Sequence, residues 1–178
     1  MKLLLHTCCA PCSIYPLQVL RKDGHTVMGF FYRYNIHPYT ECVKREDTLK
    51  DYAAAVDLKV IYQSGYEIET FLRNLAFRET DRCMCCYHDR LSTTANFAKK
   101  GKFDAFTTTL LYSRFQKHDL IRSIGDAVGQ SVGGPFYYRD FRTGWKTGIE
   151  ESRRLGMYRQ PYCGCIYSEK ERYYRPPR

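Results

Sequence analysis

Of the nine cysteines in this chain, all but Cys42 fall into three short groups. Cys8, Cys9 and Cys12 share the stretch His6-Thr7-Cys8-Cys9-Ala10-Pro11-Cys12-Ser13. Cys83, Cys85 and Cys86 fall within 82–87, and Cys163 and Cys165 form a C-x-C further on. Thiols grouped this closely suit metal ligation or redox exchange, both of which run through the thiolate. Cys9–Cys12 and Cys83–Cys86 are C-x-x-C pairs, and two such pairs can hold one structural zinc. That reading leaves Cys8, Cys163 and Cys165 without a task. Adjacent Cys8 and Cys9 are expected to send their side chains apart, which a multi-iron cluster tolerates better than a single tetrahedral ion. Four thiolates satisfy a [4Fe–4S] cluster, and, apart from Cys85 between the second pair, three remain for a second metal or a redox-active dithiol. A thioredoxin-like role needs one dithiol and leaves a second set idle. Cys42, alone in a helical pattern, reads as packing.

The first group belongs where a strand ends and a helix begins. Leu3-Leu4-Leu5 is a buried-strand run, Pro11 suits a first helical turn, and Ile14, Leu17 and Leu20 follow at helical spacing. Open α/β sheets bind ligands at the carboxyl ends of strands, and a helix start favours thiolate over thiol. Residues 26–31, 59–62 and 103–107 read as further strands. Helices are expected over 13–22, 41–56, 67–76, 88–99, a stretch through 120–128 closed by glycines, and a short piece at 147–155. The second cysteine group is read as a loop ahead of the 88–99 helix. This alternation predicts an α/β fold, a single Rossmann-like domain over 1–178. Its sheet is mostly parallel, with helices on both faces and cysteine loops at the carboxyl ends of strands. Cysteines stand where a Gly-rich phosphate loop would follow the first strand, which counts against nucleotide hydrolysis. A basic surface tail is expected over about 168–178.

The chain carries 28 Lys and Arg against 19 Asp and Glu, a formal charge of +9, with 16 tyrosines. A basic surface with interleaved rings suits nucleic acid, where phosphates supply affinity and rings stack on exposed bases. A solvated basic surface over core tyrosines fits the composition equally. No apolar run approaches the roughly 20 residues of a membrane span, and Leu3-Leu4-Leu5 is too short for a secretory apolar region. A cytoplasmic protein with no membrane partner is therefore expected. There, thiols stay reduced and nine cysteines make a better metal set than a disulfide scaffold.

The order of these motifs resembles the cobalamin-independent epoxyqueuosine reductases, the QueH family. The likeness rests on six stretches. They are His6-Thr7-Cys8-Cys9-Ala10-Pro11-Cys12, Asn35-Ile36-His37-Pro38, and Arg82-Cys83 with Cys86-Tyr87. To these add Thr108-Thr109-Leu110 through Lys117-His118, Asp140-Phe141-Arg142, and Tyr158-Arg159-Gln160 with Tyr162-Cys163-Gly164-Cys165. Cys42 and Cys85 fall outside the pattern. The resemblance implies an iron–sulfur oxidoreductase that modifies tRNA, with a [4Fe–4S] cluster and an additional mononuclear iron. It implies the last step of queuosine synthesis, in which the epoxide oxygen of epoxyqueuosine at the wobble position leaves as water. Two electrons and two protons are consumed. The implied partners are tRNA, through its anticodon stem-loop, and an unidentified electron donor. From the residues alone, a zinc-binding nucleic-acid module and a dithiol oxidoreductase remain as alternatives.

On this basis Cys8, Cys9, Cys83 and Cys86 are expected to hold the [4Fe–4S] cluster. Cys12, Cys163 and Cys165 are left for the second iron or a redox dithiol. Cys163, Cys165, Asp140 and His6 are the candidates for catalysis. His6, His37 and His118 each adjoin motif residues as proton donors or hydrogen-bond partners. Tyr158, Arg159, Tyr162 and His118 are candidates for holding the substrate base, with core filling the competing role for the tyrosines.

Overall fold

The structure, a computed structural model, describes residues 1–176. Four strands form one parallel sheet: β1 (Lys2–Thr7), β2 (Thr26–Phe31), β3 (Val60–Tyr62) and β4 (Ala105–Thr108). Their order is β3-β2-β1-β4. Leu3, Leu4 and Leu5 are all fully buried. Consecutive apolar residues, rather than alternating ones, are what a strand needs when both faces of its sheet are covered. On one side α1 (Ala10–Lys22) packs with α2 (Tyr39–Ala55) and α6 (Trp145–Arg154). On the other, α4 (Arg82–Lys100) packs with α5 (His118–Val132) and against β1 and β4. Right-handed crossovers produce this division. Two shorter helices, α3 (Ile68–Leu75) and α7 (Ile166–Tyr173), complete the set among the described residues.

The chain steps outward from β1 to β3, then returns across the sheet to lay β4 on the free side of β1. The strand order reverses there, and in such sheets a crevice opens at the carboxyl ends of the two strands that flank the reversal. The first cysteine group leaves β1 at that point.

The expected strands and helices are present, and two segments differ from expectation. Helix α4 starts at Arg82, so Cys83, Cys85 and Cys86 lie on its first turns and not in a loop. No glycine or proline interrupts 82–100, and Tyr87, Arg90, Leu91, Thr94 and Ala98 form one buried face that carries the helix back through the cysteines. The basic tail expected from about 168 is helical as far as Tyr173, while Pro177 and Arg178 lie outside the described residues. Among the described residues no helix is long and apolar enough to cross a membrane.

Helix α6 is pressed unusually close to its neighbours by glycine. A Cβ at Gly144 would lie 2.2 Å from ring atoms of Tyr15, and one at Gly148 would lie 2.2 Å from the Tyr112 hydroxyl. Tyr112 is fully buried and donates its hydroxyl to the Trp145 carbonyl (3.0 Å), so it has no room to retreat. Gly144→Ala and Gly148→Ala should each destabilise the fold by about 1–3 kcal/mol through overpacking. Urea unfolding checks this, and unchanged midpoints would mean that α6 can move outward freely.

Candidate metal centre

Cys8 follows directly on β1. Cys9 occupies the N-cap of α1 in extended conformation (φ −175°, ψ 163°), and the helix then brings Cys12 back beside both. The three sulfurs lie within 4.8 Å of one another, all buried, with Cys8 Sγ 3.8 Å from Cys9 Sγ. The expectation that Cys8 and Cys9 diverge is thus corrected. Alternation holds along a strand, but the chain turns from strand to helix at Cys9 and swings its side chain to the same side. From the end of β4, Thr109 clamps the group. Its Oγ1 accepts the Cys8 backbone N–H (3.2 Å) and its hydroxyl donates to Cys8 Sγ (3.4 Å). Gln160 Nε2 donates to Cys9 Sγ (2.9 Å) and Cys12 Sγ (3.4 Å), while its Oε1 is buried with no partner. Hydrogen bonds from Cys12 and Cys9 hold the Cys8 thiol well below its usual range. Burial pushes Cys9 up, and the bond to Cys8 pushes Cys12 up.

A second set forms around the first turns of α4. Cys83, Cys86 and Arg90 are spaced i, i+3 and i+7, on one helix face. Arg90 is buried, and donates through Nε to Cys86 Sγ (3.2 Å), through Nη1 to His6 Nε2 (3.2 Å) and through Nη2 to the Asn35 carbonyl (3.0 Å). Among the described residues no carboxylate pairs with it. Since arginine only donates, His6 Nε2 accepts, and the ring proton sits on Nδ1 facing Thr108 Oγ1 (2.8 Å). Burial, then the Arg90 charge, lowers the His6 pKa to about 3. His6 is thus a neutral strut with both nitrogens engaged.

Cys163 and Cys165 reach this set from a distant segment. Burial raises the Cys83 thiol, with the Cys86 and Cys165 sulfurs adding to the effect, and the Cys163 sulfur acts on Cys86 in the same way. The buried Arg45 pairs with Glu41 (2.7 Å) and spends its other nitrogens on the Cys163 and Tyr162 carbonyls (2.9 and 3.0 Å). Gly164 has φ +151°, and a Cβ there would stand 3.3 Å from both Arg45 Nη1 and the Asn35 carbonyl. His37 holds the same segment: its N–H donates to the Gly164 carbonyl (2.7 Å), and its Nδ1 accepts the Ile166 N–H (3.3 Å). Tyr87 donates to Gln116 Oε1 (2.7 Å), which turns Gln116 Nε2 toward Cys163 Sγ (3.1 Å).

Beside the triad lies a cavity of about 320 Å³. Its inner wall includes the buried Cys8, Cys12 and Tyr112, and its rim the exposed Phe115, Cys163 and Arg159. The arrangement offers sulfur ligands, an aromatic surface and positive charge to one small volume.

The family described as epoxyqueuosine reductase QueH has a model that matches residues 3–171. The chain belongs to that family. It is 33% identical over 175 residues to the epoxyqueuosine reductase QueH of Dehalococcoides mccartyi, covering 98% of this chain and 96% of the relative. It is also 33% identical over 178 residues to the protein of that name from Thermotoga maritima, covering 95% and 91%. A solved structure, a predicted subunit of tRNA methyltransferase from Methanocaldococcus jannaschii, is similar with a TM-score of 0.56 and 11% identity. It covers 86% of this chain and 76% of that one. That likeness is one of fold.

The remaining candidates in this QueH-family chain are placed unevenly. Arg159 and Tyr162 line the cavity. Tyr162 donates its hydroxyl to the His37 carbonyl (2.5 Å), and Tyr158 donates to Glu41 (2.5 Å), so both hydroxyls serve the scaffold. His118 is buried with Nε2 at the Tyr138 hydroxyl (3.1 Å), and Asp140 is held by Arg142, whose guanidinium lowers its pKa to about 2. Neither forms a wall of the cavity. Cys42 is buried in α2, where burial raises its thiol to about 11, and Cys85 faces a separate depression with Arg73 and Arg78. Sequence reading assigned no role to Arg90, Arg45, Gln116, Phe115 or Trp145. Helical spacing from Cys86 to Arg90 was the available signal for the first.

The His37 contacts carry a pH dependence. Its Nε2–H donates to the Tyr34 carbonyl (2.7 Å), both ring nitrogens are satisfied in the neutral form, and burial lowers its pKa from 6.5 to about 4. Between those values the unfolded chain binds more protons than the folded one. This contribution is therefore complete above about pH 6.5 and lost as pH falls toward 4. In metal-free protein the urea midpoint should drop on acidification through this window, and His37→Gln should flatten the slope. An identical slope in the variant would assign the acid sensitivity to other groups.

Proposed function

We propose that this chain reduces epoxyqueuosine in tRNA to queuosine, the final step of that modification. The epoxide oxygen leaves as water as two electrons and two protons enter, and an alkene forms in the cyclopentane ring. The observation that carries the reading is the meeting of buried thiols, aromatic rings and exposed arginine on one cavity, in a chain of this family. A cytoplasmic setting, a separate electron donor and one folding unit over residues 1–178 belong to the same proposal.

The residues fit sulfur-bound metal. The donor set is all thiol, and Gln160 turns its amide nitrogen to two sulfurs while its buried oxygen stays unpartnered. Sulfurs as close as those of Cys8, Cys9 and Cys12 suit a single iron. Cys83, Cys86, Cys163 and Cys165 then supply the four thiolates of a [4Fe–4S] cluster. This grouping departs from the sequence partition, which joined Cys8 and Cys9 to Cys83 and Cys86. Such a centre supplies electrons singly and a Lewis acid for the epoxide oxygen. The protein's own part is electrostatic and steric. Arg90 holds a positive charge against Cys86, Gln116 and Gln160 orient sulfurs, and the Tyr112 and Trp145 rings wall the cavity.

Iron and acid-labile sulfide content, with mass analysis of the nucleoside after reaction under a chemical reductant, tests this. Cys83→Ser or Cys86→Ser should lose sulfide and conversion. Cys12→Ser should keep sulfide, lose part of the iron and lose conversion, whereas Cys42→Ser and Cys85→Ser should keep all three. Stoichiometric zinc without sulfide in native protein would overturn the reading.

A further inference from the structure

We propose that Phe115 and Trp145 form the stacking wall that receives the extruded modified base, with Arg159 and Arg172 holding the flanking phosphates. This deepens the function proposed above and rests on it. Three rings run along one side of the cavity. Tyr112 and Trp145 have centroids 5.2 Å apart at 33°, and Trp145 and Phe115 have centroids 5.5 Å apart at 81°. The inner two are fixed by the Tyr112–Trp145 hydrogen bond and by the close approach at Gly148. Phe115 is different: the residue is 85% exposed at the rim. A large apolar ring left in water beside a cavity is stabilised when a flat partner covers it.

The turn that presents Phe115 also aligns it with the sulfurs. Ser113 Oγ accepts the Phe115 N–H (3.2 Å), and the next residue, Gln116, donates to Cys163 Sγ (3.1 Å). A planar heterocycle stacked on Phe115 meets Trp145 at its edge, in a cavity that Cys8, Cys12 and Cys163 also line. Arg159 and Arg172, both exposed, line the same cavity, which suits a base attached to a phosphodiester chain more than a free small molecule. The ligand class is a fused planar base, flipped from a loop, with its neighbouring phosphates.

Trp145 is the only tryptophan in the chain, so its emission reads the wall directly. The probes are two anticodon stem-loop RNAs, one carrying epoxyqueuosine and one abasic at the wobble position, titrated into reconstituted protein. Wild type should bind the modified loop about tenfold or more tightly than the abasic one, as expected for one stacked base. Only the modified loop should change Trp145 emission. Phe115→Ala should erase the preference and raise KM, and Phe115→Tyr should restore both. Arg159→Ala and Arg172→Ala should weaken both loops alike and reduce the salt dependence. An unaltered preference and KM in Phe115→Ala would overturn the wall while wild-type conversion still supported the function. Failure of iron- and sulfide-loaded wild type to convert the nucleoside would overturn the function instead. A retained Phe115-dependent preference would then still assign the wall to a base.

Discussion

The buried guanidinium of Arg90 is the constraint around which the site is assembled. A cation taken out of water needs anions close by, and no carboxylate meets this one among the described residues. Its partners are a sulfur of α4, a ring nitrogen of β1 and a carbonyl of the loop after β2. Burial works against its charge, and the Cys86, Cys8 and Cys163 sulfurs more than offset it. Sulfur beside Arg90 therefore serves the scaffold as well as the chemistry. Arg45 repeats the device one layer away, where Glu41 balances its charge and its free nitrogens seize the backbone of the C-x-C.

Much of this was legible in the sequence, for identifiable reasons. Leu3-Leu4-Leu5 before the cysteines and the helical spacing after them are local signals, and β1 and α1 follow from them directly. The parallel sheet follows from the alternation of elements. What escaped was set by tertiary contacts. The pairing of Cys8 with Cys9 depends on a single backbone turn at the N-cap of α1. The inward hydroxyls of Tyr158 and Tyr162 depend on Glu41 and the His37 carbonyl, more than a hundred positions away in the chain. Trp145 and Phe115 sit in two separate segments without periodic pattern, and only the folding of α6 onto Tyr15 and Tyr112 brings the two rings together at the cavity.

The three cysteine groups also share a feature that no spacing rule states. Each lies at the start of a helix: Cys9 is the N-cap of α1, Cys83 is in the first turn of α4, and Cys165 is the N-cap of α7. Helix starts present unpaired N–H groups and a partial positive charge, which favour anions. Neither α1 nor α4 has an acidic residue in its first turn. At α1 sulfur occupies the place that Asp or Glu fills in an ordinary helix, while Asp81 caps α4 ahead of Cys83, and at both starts the backbone field favours negative sulfur. A centre rich in negative sulfur can thus be stabilised largely by backbone dipoles and the buried Arg90 guanidinium. Mobile surface lysines are not needed for that balance, which leaves the exposed charge of a chain at +9 free to meet phosphate.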